Sequence, residues 1–461
     1  MRALGVWMNG RYVGEWRQVR GGRDQFRYDP AWITDPQFRV LSLSLPVTPD
    51  GVITSPAVRN YFDNLLPDDP RIRERLRLRF GARSADVFDL LEVVGRDCAG
   101  AVQLLPEGQE PEGWDRVEAD PLTTREVEAL LTAVPTAAAP LLGAEQGESD
   151  YRISIAGSQE KTALLKIGNI WYLPRGATPT THILKLPLGI VGGLRLDLTH
   201  SVDNEWLCAA LLAELGFQVA KTEIGRFGSQ RVLIVERFDR RWQGIGTANP
   251  GVARFRPPAG AWIARIPQED FCQATGTDHV HKYEVDGGPD IPQILGILAR
   301  AENPQEDRRT FVLAQLAFWM LAAIDGHAKN FSIFHYRGGG YGLTPLYDVL
   351  SAWPVIGSGK NKLPLQKVKL AMALRGSGRR HYRLAEIQPR HFEELAASVA
   401  DPELLPAMRQ LAEQVPDAIA RVEKRLPEDF AVSVWERVTQ GLERQAHSFL
   451  KATSRQATAR R

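Results

Sequence analysis

The sequence has few cysteines, and this scarcity argues against two kinds of site. Only three occur in 461 residues: Cys98, Cys208 and Cys272. They stand far apart, and no two have the spacing of metal ligands, so we expect neither a disulfide framework nor a zinc site. A low cysteine count is also typical of proteins that stay in a reducing cytoplasm.

Long hydrophobic runs and an excess of one charge are absent as well. The longest apolar stretch, 312–324, is interrupted by Gln315 and is shorter than the roughly 18 residues that a membrane helix needs. The first ten residues are too polar for a signal peptide, so we expect a cytoplasmic protein. The net charge of +2 does not indicate a molecule that binds polyanions over its whole surface.

A chain of this length is expected to hold two or three domains, at about 150 residues each. The sequence patterns divide it further, into five parts. The parts are a β-rich N-terminal subdomain (1–105), a linker with one short helix (106–150), a small mixed lobe (151–262), a mostly helical lobe (263–450) and a basic, disordered tail (451–461). The helical lobe has one predicted exception, a hairpin at 331–347. A small mixed lobe followed by a larger helical lobe is the order found in kinases.

Local signals place elements within these parts. Asn9-Gly10 predicts a hairpin, and 40–45 reads as a strand. The stretch 69–80 predicts a helix whose arginines lie on solvated surface rather than along a nucleic-acid stripe. Thr123 or Thr124 is expected to cap the helix of the linker.

The most informative stretch is LAAIDGHAKNFSIF, 321–334. A buried helix is predicted to end there in a turn at Asp325, with Asn330 five positions later. After the hairpin, Asp348 ends the returning strand. Phosphoryl transfer needs one carboxylate that accepts a hydroxyl proton, and an amide oxygen and second carboxylate that hold Mg²⁺. Protein kinases use this order of residues. The alternative is that the same residues only shape turns and a helix cap.

Upstream residues favour the kinase interpretation. A buried strand at 181–186 carries Lys185, and a buried lysine needs a partner such as nucleotide phosphates. The alternative is a lysine that reaches solvent from an edge strand. Glu205 on the next helix is either the partner of Lys185 or a surface glutamate. The strand 232–235 leads to Glu236 and Phe238, which are either hinge residues beside adenine or a charged strand end. Three small residues precede the strand at 181–186: Ala156, Gly157 and Ser158. Their backbone amides could contact phosphates.

Many ordered motifs resemble the HipA family of kinases over most of the chain. Two runs, 61–76 and 90–102, resemble the N-terminal region of the family. The motifs that resemble its kinase core are SIAGSQEKTALL, HILKLP, VERFDRRW, RIPQEDFCQATG, KYEVDGGP, DGHAKNFSIF and LTPLYDVLSAWP. The resemblance implies an α+β, bilobal kinase-like fold with a β-rich N-terminal subdomain and a mostly helical C-terminal lobe.

The resemblance also implies roles for individual residues, with ATP and Mg²⁺ as cofactors. It implies a catalytic base at Asp325 and metal ligands at Asn330 and Asp348. It implies nucleotide contacts at four further positions: Lys185, Glu236, Phe238 and His327. Ser154 matches a serine whose autophosphorylation switches the enzyme off; from the residues alone it is a plain strand serine. Ser158 stands where alanine is expected and adds a second hydroxyl to the loop.

The partners implied are a HipB-like helix-turn-helix antitoxin, operator DNA through that complex, and a protein substrate such as glutamyl-tRNA synthetase. Arg379 and Arg380 belong to a basic cluster that could contact operator phosphates, or that forms a solvated loop. Two other functions stay open from the sequence. One is a non-catalytic kinase-like module that bridges antitoxin and DNA, and the other is a small-molecule or lipid kinase.

Overall fold

A computed structural model describes residues 2–19, 21–135, 159–252 and 255–459, the last five of them by backbone alone. The chain forms two compact units. The first comprises 1–186, 223–280 and 333–341, and the second comprises 187–222, 281–332 and 342–461. Each unit is therefore built from several stretches of the chain.

The strands and helices are numbered in chain order. The strands are β1 (Arg2–Met8), β2 (Arg11–Val19), β3 (Arg23–Tyr28), β4 (Val52–Thr54), β5 (Val102–Pro106), β6 (Ala119–Leu122), β7 (Lys161–Ile167), β8 (Ile170–Pro174), β9 (His182–Lys185), β10 (Gly189–Val191), β11 (Leu196–Leu198), β12 (Thr222–Phe227), β13 (Gln230–Glu236), β14 (Arg240–Gln243), β15 (Trp262–Arg265), β16 (Gln268–Asp270), β17 (Ser332–His335), β18 (Tyr341–Leu343), β19 (Lys369–Gly376) and β20 (Arg379–Arg383). The helices are α1 (Pro30–Ile33), α2 (Pro56–Asp63), α3 (Pro70–Phe80), α4 (Val87–Val94), α5 (Thr124–Ala133), α6 (Ser201–Glu214), α7 (Phe271–Thr275), α8 (Ile291–Leu298), α9 (Pro304–Leu321), α10 (Pro389–Val399), α11 (Leu404–Glu413), α12 (Val415–Glu423) and α13 (Val432–Ala459).

The N-terminal part of the first unit is an antiparallel sheet in the order β4-β3-β2-β1-β5. The predicted hairpin is confirmed, because Asn9 and Gly10 both have positive φ, 47° and 76°, as a two-residue turn of this kind requires. The sheet buries its apolar face against the helices that follow. At the centre, the Trp16 ring stacks on Phe62 with 4.3 Å between ring centroids.

The second sheet of this unit has the order β12-β13-β9-β7-β8-β6. Helix α5 covers it with Val127, Leu130 and Leu131. The predicted cap of α5 is confirmed at Thr123, whose hydroxyl accepts from the Glu126 amide while the Glu126 carboxylate accepts from the Thr123 amide. Strand β6 is not predicted from the sequence, and it adds part of the assigned linker to the sheet.

Between the two sheets, the first unit contains a cluster of five buried charges: Asp97, Arg237, Asp239, Arg240 and Arg265. Asp97 follows helix α4, whereas the other four belong to the VERFDRRW and ARIP segments. Arg240 Nη2 lies 2.8 Å from Asp97 Oδ1, and Arg237 Nη2 lies 2.9 Å from Asp239 Oδ2. The side chains of this network are almost inaccessible to water, so they interact at low dielectric.

The charged groups of this cluster alter one another's pKa values. Burial alone raises the pKa of Asp97, but the charges of Arg240, Arg237 and Arg265 outweigh burial and hold the pKa well below its ordinary value. Burial lowers the pKa of Arg265 to about 10. Since the pKa of Asp97 is depressed, the stability it contributes is fully present above about pH 4 and is lost as the pH falls through the folded value.

The second unit is mostly helical, as predicted. Helix α13 packs on α6, α9, α10, α11 and α12. Its last nine residues, 451–459, lie in a helix, so the prediction of a disordered tail is wrong for them. Among the residues described, no helix is long and apolar enough to cross a membrane.

Three further predictions are wrong. The stretch 40–45 is irregular rather than a strand, and its Leu43 amide donates to the Glu269 carboxylate at 2.8 Å. Arg73 of α3 is buried, not solvated, because it pairs with Asp63 at 2.6 Å. The hairpin at 331–347 is present as β17–β18, but β19 and β20 form another hairpin in the region predicted to be helical.

We predict that Asp97→Ala lowers the free energy of unfolding by about 3 kcal/mol or more, because three buried arginines would lose their shared carboxylate. Urea unfolding followed by tryptophan fluorescence measures the loss. Asp120→Ala is the matched control, since the Asp120–Arg175 pair is exposed and should contribute about 0–1 kcal/mol. Equal losses in both variants would show that the charge cluster is not a stabilising network.

Candidate active site

The segment that follows α9 places one carboxylate in solvent among buried neighbours. The helix ends because Ala322 adopts a left-handed conformation, φ 49°. The Asp325 carbonyl then accepts from the His327 amide at 2.8 Å, which closes a tight turn. The Asp325 side chain is 52% exposed, whereas that of His327 is 4% exposed. The carboxylate is therefore accessible to a substrate.

Asn330 is fixed against the same turn. Its Nδ2 donates to the Asp325 carbonyl at 2.7 Å, so the amide oxygen is turned away from that contact. The returning hairpin closes beside it: the Thr344 amide donates to the Ser332 carbonyl at 2.9 Å. The Tyr347 hydroxyl then donates to the Lys329 carbonyl at 2.8 Å. These contacts bring the chain that precedes Asp348 next to Asn330.

Asp348 has a backbone conformation that is uncommon for its residue type. Its φ is 59°, in the left-handed region that favours glycine. Such conformations carry strain, and they persist where the surroundings fix them, often at functional sites. Here Ser351 supplies the support: its amide donates to Asn204 Oδ1 at 2.9 Å, and its hydroxyl donates to the Leu321 carbonyl at 2.6 Å.

The pKa of His327 depends on its burial and on the charges that surround it. Burial lowers its pKa below the ordinary value; the carboxylates of Asp325 and Asp348 act in the opposite direction, and the ammonium groups of Lys282 and Lys329 act with burial. The imidazole is therefore neutral at pH 7. Its Nε2 lies 3.7 Å from Asp325 Oδ1. The structure thus brings the four predicted residues of the second unit into one neighbourhood.

The oxygen donors in this neighbourhood fit Mg²⁺. Mg²⁺ prefers carboxylate and carbonyl oxygens and retains several waters, so it needs only one or two carboxylates from a protein. Asn330 offers an amide oxygen and Asp348 a carboxylate. These oxygen ligands differ from those of a typical zinc site, which include thiolates or imidazoles.

The first unit contains the other predicted nucleotide residues that are described. Lys185 is 6% exposed and lies on β9, a central strand with Leu233 on one side and Lys161 on the other. The alternative of an edge-strand lysine is therefore wrong. Glu205 of α6 is 4% exposed, so it is not a surface glutamate. The pairing of Lys185 with Glu205 stays a prediction.

The end of β13 alternates between buried and accessible side chains. Arg237 enters the charge cluster, whereas Glu236 is exposed and Phe238 is half-buried. The Phe238 ring meets Phe334 edge-on, with 5.7 Å between centroids. A strand end fixed on one face and accessible on the other suits a hinge, but contact of Glu236 and Phe238 with adenine stays a prediction.

Four predicted residues lie outside the described part of the chain: Ser154, Ala156, Gly157 and Ser158. Two others lie on β20, not in a loop: Arg379 and Arg380. The Arg380 guanidinium lies 3.3 Å from Glu284 and 3.6 Å from Asp290. Part of this basic cluster is therefore neutralised within the protein, and DNA contact stays a prediction.

One residue of this neighbourhood, Tyr283, has no role predicted from the sequence. Tyr283, in the KYEVDGGP motif, donates its hydroxyl to Asp325 Oδ1. The only signal in the sequence was the motif itself, because 42 positions separate the two residues.

Comparisons with known proteins place these observations in context. The family model described as the HipA N-terminal domain matches residues 4–105, and the model described as the HipA-like C-terminal domain matches 153–425. A solved complex of Shewanella oneidensis HipA, HipB and operator DNA contains a chain with a TM-score of 0.75 and 24% identity, covering 97% of each chain. That match shows the fold.

The fold is thus a kinase-like α+β fold with a β-rich N-terminal part, as predicted. The protein Y4mE of Sinorhizobium fredii, whose name describes a kinase, is 33% identical over 92% of each chain. The serine/threonine-protein kinase toxin HipA of Shewanella oneidensis is 29% identical over 68% of this chain and 66% of its own. The chain belongs to the HipA family.

We predict that Gly326→Ala destabilises the second unit and displaces Asp325. A Cβ at Gly326 would lie 2.4 Å from the buried Phe318 ring, which packs against Phe331. Overpacking of this kind costs about 1–3 kcal/mol, and a lower thermal unfolding midpoint would reveal it. Gly296→Ala on α8 is the matched control: its Cβ meets open space, so stability should stay equal or rise. If the two variants unfold alike, the close packing of the turn is not required.

Proposed function

We propose that the protein is an ATP- and Mg²⁺-dependent serine/threonine kinase, and that it acts as the toxin of a type II toxin–antitoxin pair. The observation that carries the proposal is the accessible Asp325 carboxylate, with Asn330 held beside it and Asp348 in a strained conformation on the returning hairpin. The names of the relatives agree with kinase chemistry. The family assignment supports the role as a toxin.

In the proposed reaction, Asp325 orients a substrate serine or threonine hydroxyl and accepts its proton while the oxygen bonds to the γ-phosphorus. The bond from that phosphorus to the bridging oxygen breaks, and ADP leaves. Asn330 and Asp348 would hold Mg²⁺, which neutralises charge on the phosphates when it is bound.

The nucleotide is proposed to contact four further residues: Lys185, Glu236, Phe238 and His327. Lys185 would bind the α- and β-phosphates, and its burial supports a charged partner of this kind. Glu236 and Phe238 would face adenine at the accessible strand end. The neutral His327 would lie near the nucleotide, where an imidazole without charge can accept or donate a hydrogen bond.

The partners proposed are a HipB-like helix-turn-helix antitoxin and operator DNA. Support comes from the family and from the fold match to a chain of a HipA–HipB–operator complex. An aminoacyl-tRNA synthetase, such as glutamyl-tRNA synthetase, is the proposed substrate, and its phosphorylation would stall translation and favour persistence.

Regulation is proposed to act through autophosphorylation of Ser154, with Ser158 as another hydroxyl of the same loop. A phosphoserine carries a charge of about −2, so it is repelled from the place where ATP phosphates bind. Phosphorylation would therefore expel the loop from the nucleotide site and switch the kinase off.

We predict that Asp325→Gln abolishes phosphoryl transfer. The change keeps a polar side chain but removes the proton acceptor, which contributes typically 10²–10⁴-fold to such reactions. Incubation with γ-labelled ATP and Mg²⁺ should label the wild-type protein and not the variant, and growth arrest on expression should disappear in parallel. Asp115→Gln, at an exposed position of the first unit, should label normally. Labelling of Asp325→Gln at the wild-type rate would refute the assignment of the base. Absence of labelling in the wild type would favour the non-catalytic module that bridges antitoxin and DNA.

A different outcome is predicted for Ser154→Ala. Autophosphorylation should fall strongly because the main acceptor is lost, while growth arrest should persist because the inhibitory phosphate cannot form. Phosphopeptide mapping and growth curves on induction measure the two effects. Ser158→Ala should keep most of the label. If Ser154→Ala labels like the wild type, the switch lies at another residue.

A further inference from the structure

The KYEVDGGP motif, residues 282–289, lies beside the proposed catalytic base, and its contacts suggest a task of its own. Its tyrosine, Tyr283, donates a hydrogen bond from its hydroxyl to Asp325 Oδ1. The Asp325 side chain is 52% exposed, so its carboxylate is also accessible to solvent. One oxygen of the base is therefore held, while the carboxylate stays accessible to a substrate.

We infer that Tyr283 is a positioning residue, which orients the Asp325 carboxylate so that Oδ2 receives the proton of the substrate hydroxyl. This inference rests on the kinase function proposed above. A carboxylate on an accessible side chain turns easily, since the terminal torsion of aspartate is broad. A hydroxyl that donates to one oxygen restricts that rotation, and it does so without taking part in the chemistry, because Tyr283 keeps its proton.

The Tyr283 ring is held from the side by the buried imidazole. The His327 ring meets it edge-on, with 5.0 Å between centroids and an interplanar angle of 87°. Two rings in this arrangement attract each other. His327 Nε2 also lies 3.7 Å from Asp325 Oδ1. The imidazole thus fixes the phenol on the oxygen that is not offered to substrate.

The backbone around Tyr283 is anchored on both sides. On one side, the Lys282 carbonyl accepts from the Ala328 amide, which ties the motif to the catalytic turn. On the other side, the Tyr283 carbonyl accepts from the Gly288 amide at 2.9 Å. A Cβ at Gly288 would lie 2.2 Å from the His281 carbonyl oxygen, so the loop closes only with glycine there.

Glu284 gives the loop its deepest attachment. It is 5% exposed, and its Oε2 accepts from the Ala373 amide of β19 at 2.6 Å. Its Oε1 lies 3.3 Å from Arg380 Nε of β20. A buried carboxylate tied to the β19–β20 hairpin fixes the residue next to Tyr283. Support of this loop gives a role to Glu284 and Arg380, neither of which takes part directly in the proposed phosphoryl transfer.

The test compares full-length protein with Tyr283→Phe, which removes one oxygen and keeps the ring. The initial rate of autophosphorylation is measured with γ-labelled ATP and Mg²⁺ over a range of ATP concentrations. We expect the maximal rate to fall about tenfold, the size expected when a hydrogen bond to a charged group is lost. The ATP concentration for half-maximal rate should change less than about twofold, because the hydroxyl does not contact the nucleotide.

Two further variants keep the inference open to refutation. Tyr12→Phe, at an exposed tyrosine of β2, should leave both quantities unchanged. Glu284→Gln loosens the support of Tyr283, so it should also lower the maximal rate. In the double variant with Tyr283→Phe, Glu284→Gln should lower the maximal rate by a smaller factor than it does alone, because the two changes act through one hydroxyl.

The outcomes separate this inference from the proposed function. If wild-type protein labels and Tyr283→Phe labels as fast or faster, Tyr283 does not position the base, while the kinase function stands. A higher half-saturating ATP concentration with an unchanged maximal rate also overturns the inference, since it would show a role in binding nucleotide. If wild-type protein does not label, the kinase function and the inference both fall.

Discussion

The first unit depends on a cluster of buried charges that joins segments distant in sequence. Asp97 receives guanidinium groups from three arginines and, in addition, the Thr180 hydroxyl at 2.6 Å. Asp239 accepts from the Gly100 amide at 2.7 Å, so the loop after α4 is bound to the segment after β13. Desolvation of so many charges is expensive, and good geometry is needed to offset it. The same constraint fixes Arg237 inside and leaves its neighbours Glu236 and Phe238 accessible.

The second unit differs from the first, because the carboxylate of its proposed catalytic base, Asp325, is accessible to water. Hydrogen bonds to backbone groups hold several of its polar side chains. Asn204 holds Ser351 by two bonds, Ser351 binds the end of α9, and Asn330 binds the carbonyl of Asp325. These hydrogen bonds orient the polar residues of the site.

The parts predicted correctly from sequence are those fixed by local chemistry. Asn9-Gly10 specifies its turn by the positive φ that both residues tolerate, and Thr123 caps its helix through contacts within three residues. The segment from Asp325 to Asn330 could be placed because a buried helix, a turn and a hairpin follow in order. The strand expected at 40–45 failed for the opposite reason. Its apolar residues are buried by long-range contacts, and its backbone amide at Leu43 is satisfied by the side chain of Glu269 instead of a neighbouring strand.

The basic residues show why charge in a sequence is a weak guide to binding. Arg73 lies in an arginine-rich helix, yet it is buried against Asp63, and Arg380 is paired with Glu284 and Asp290. Their partners are 10 or more positions away, so a local count of charges cannot find them. Arg380 is therefore better understood through Glu284, which fixes the loop that carries Tyr283. A cationic patch seen in sequence becomes, in the fold, part of the structure that supports the proposed catalytic base.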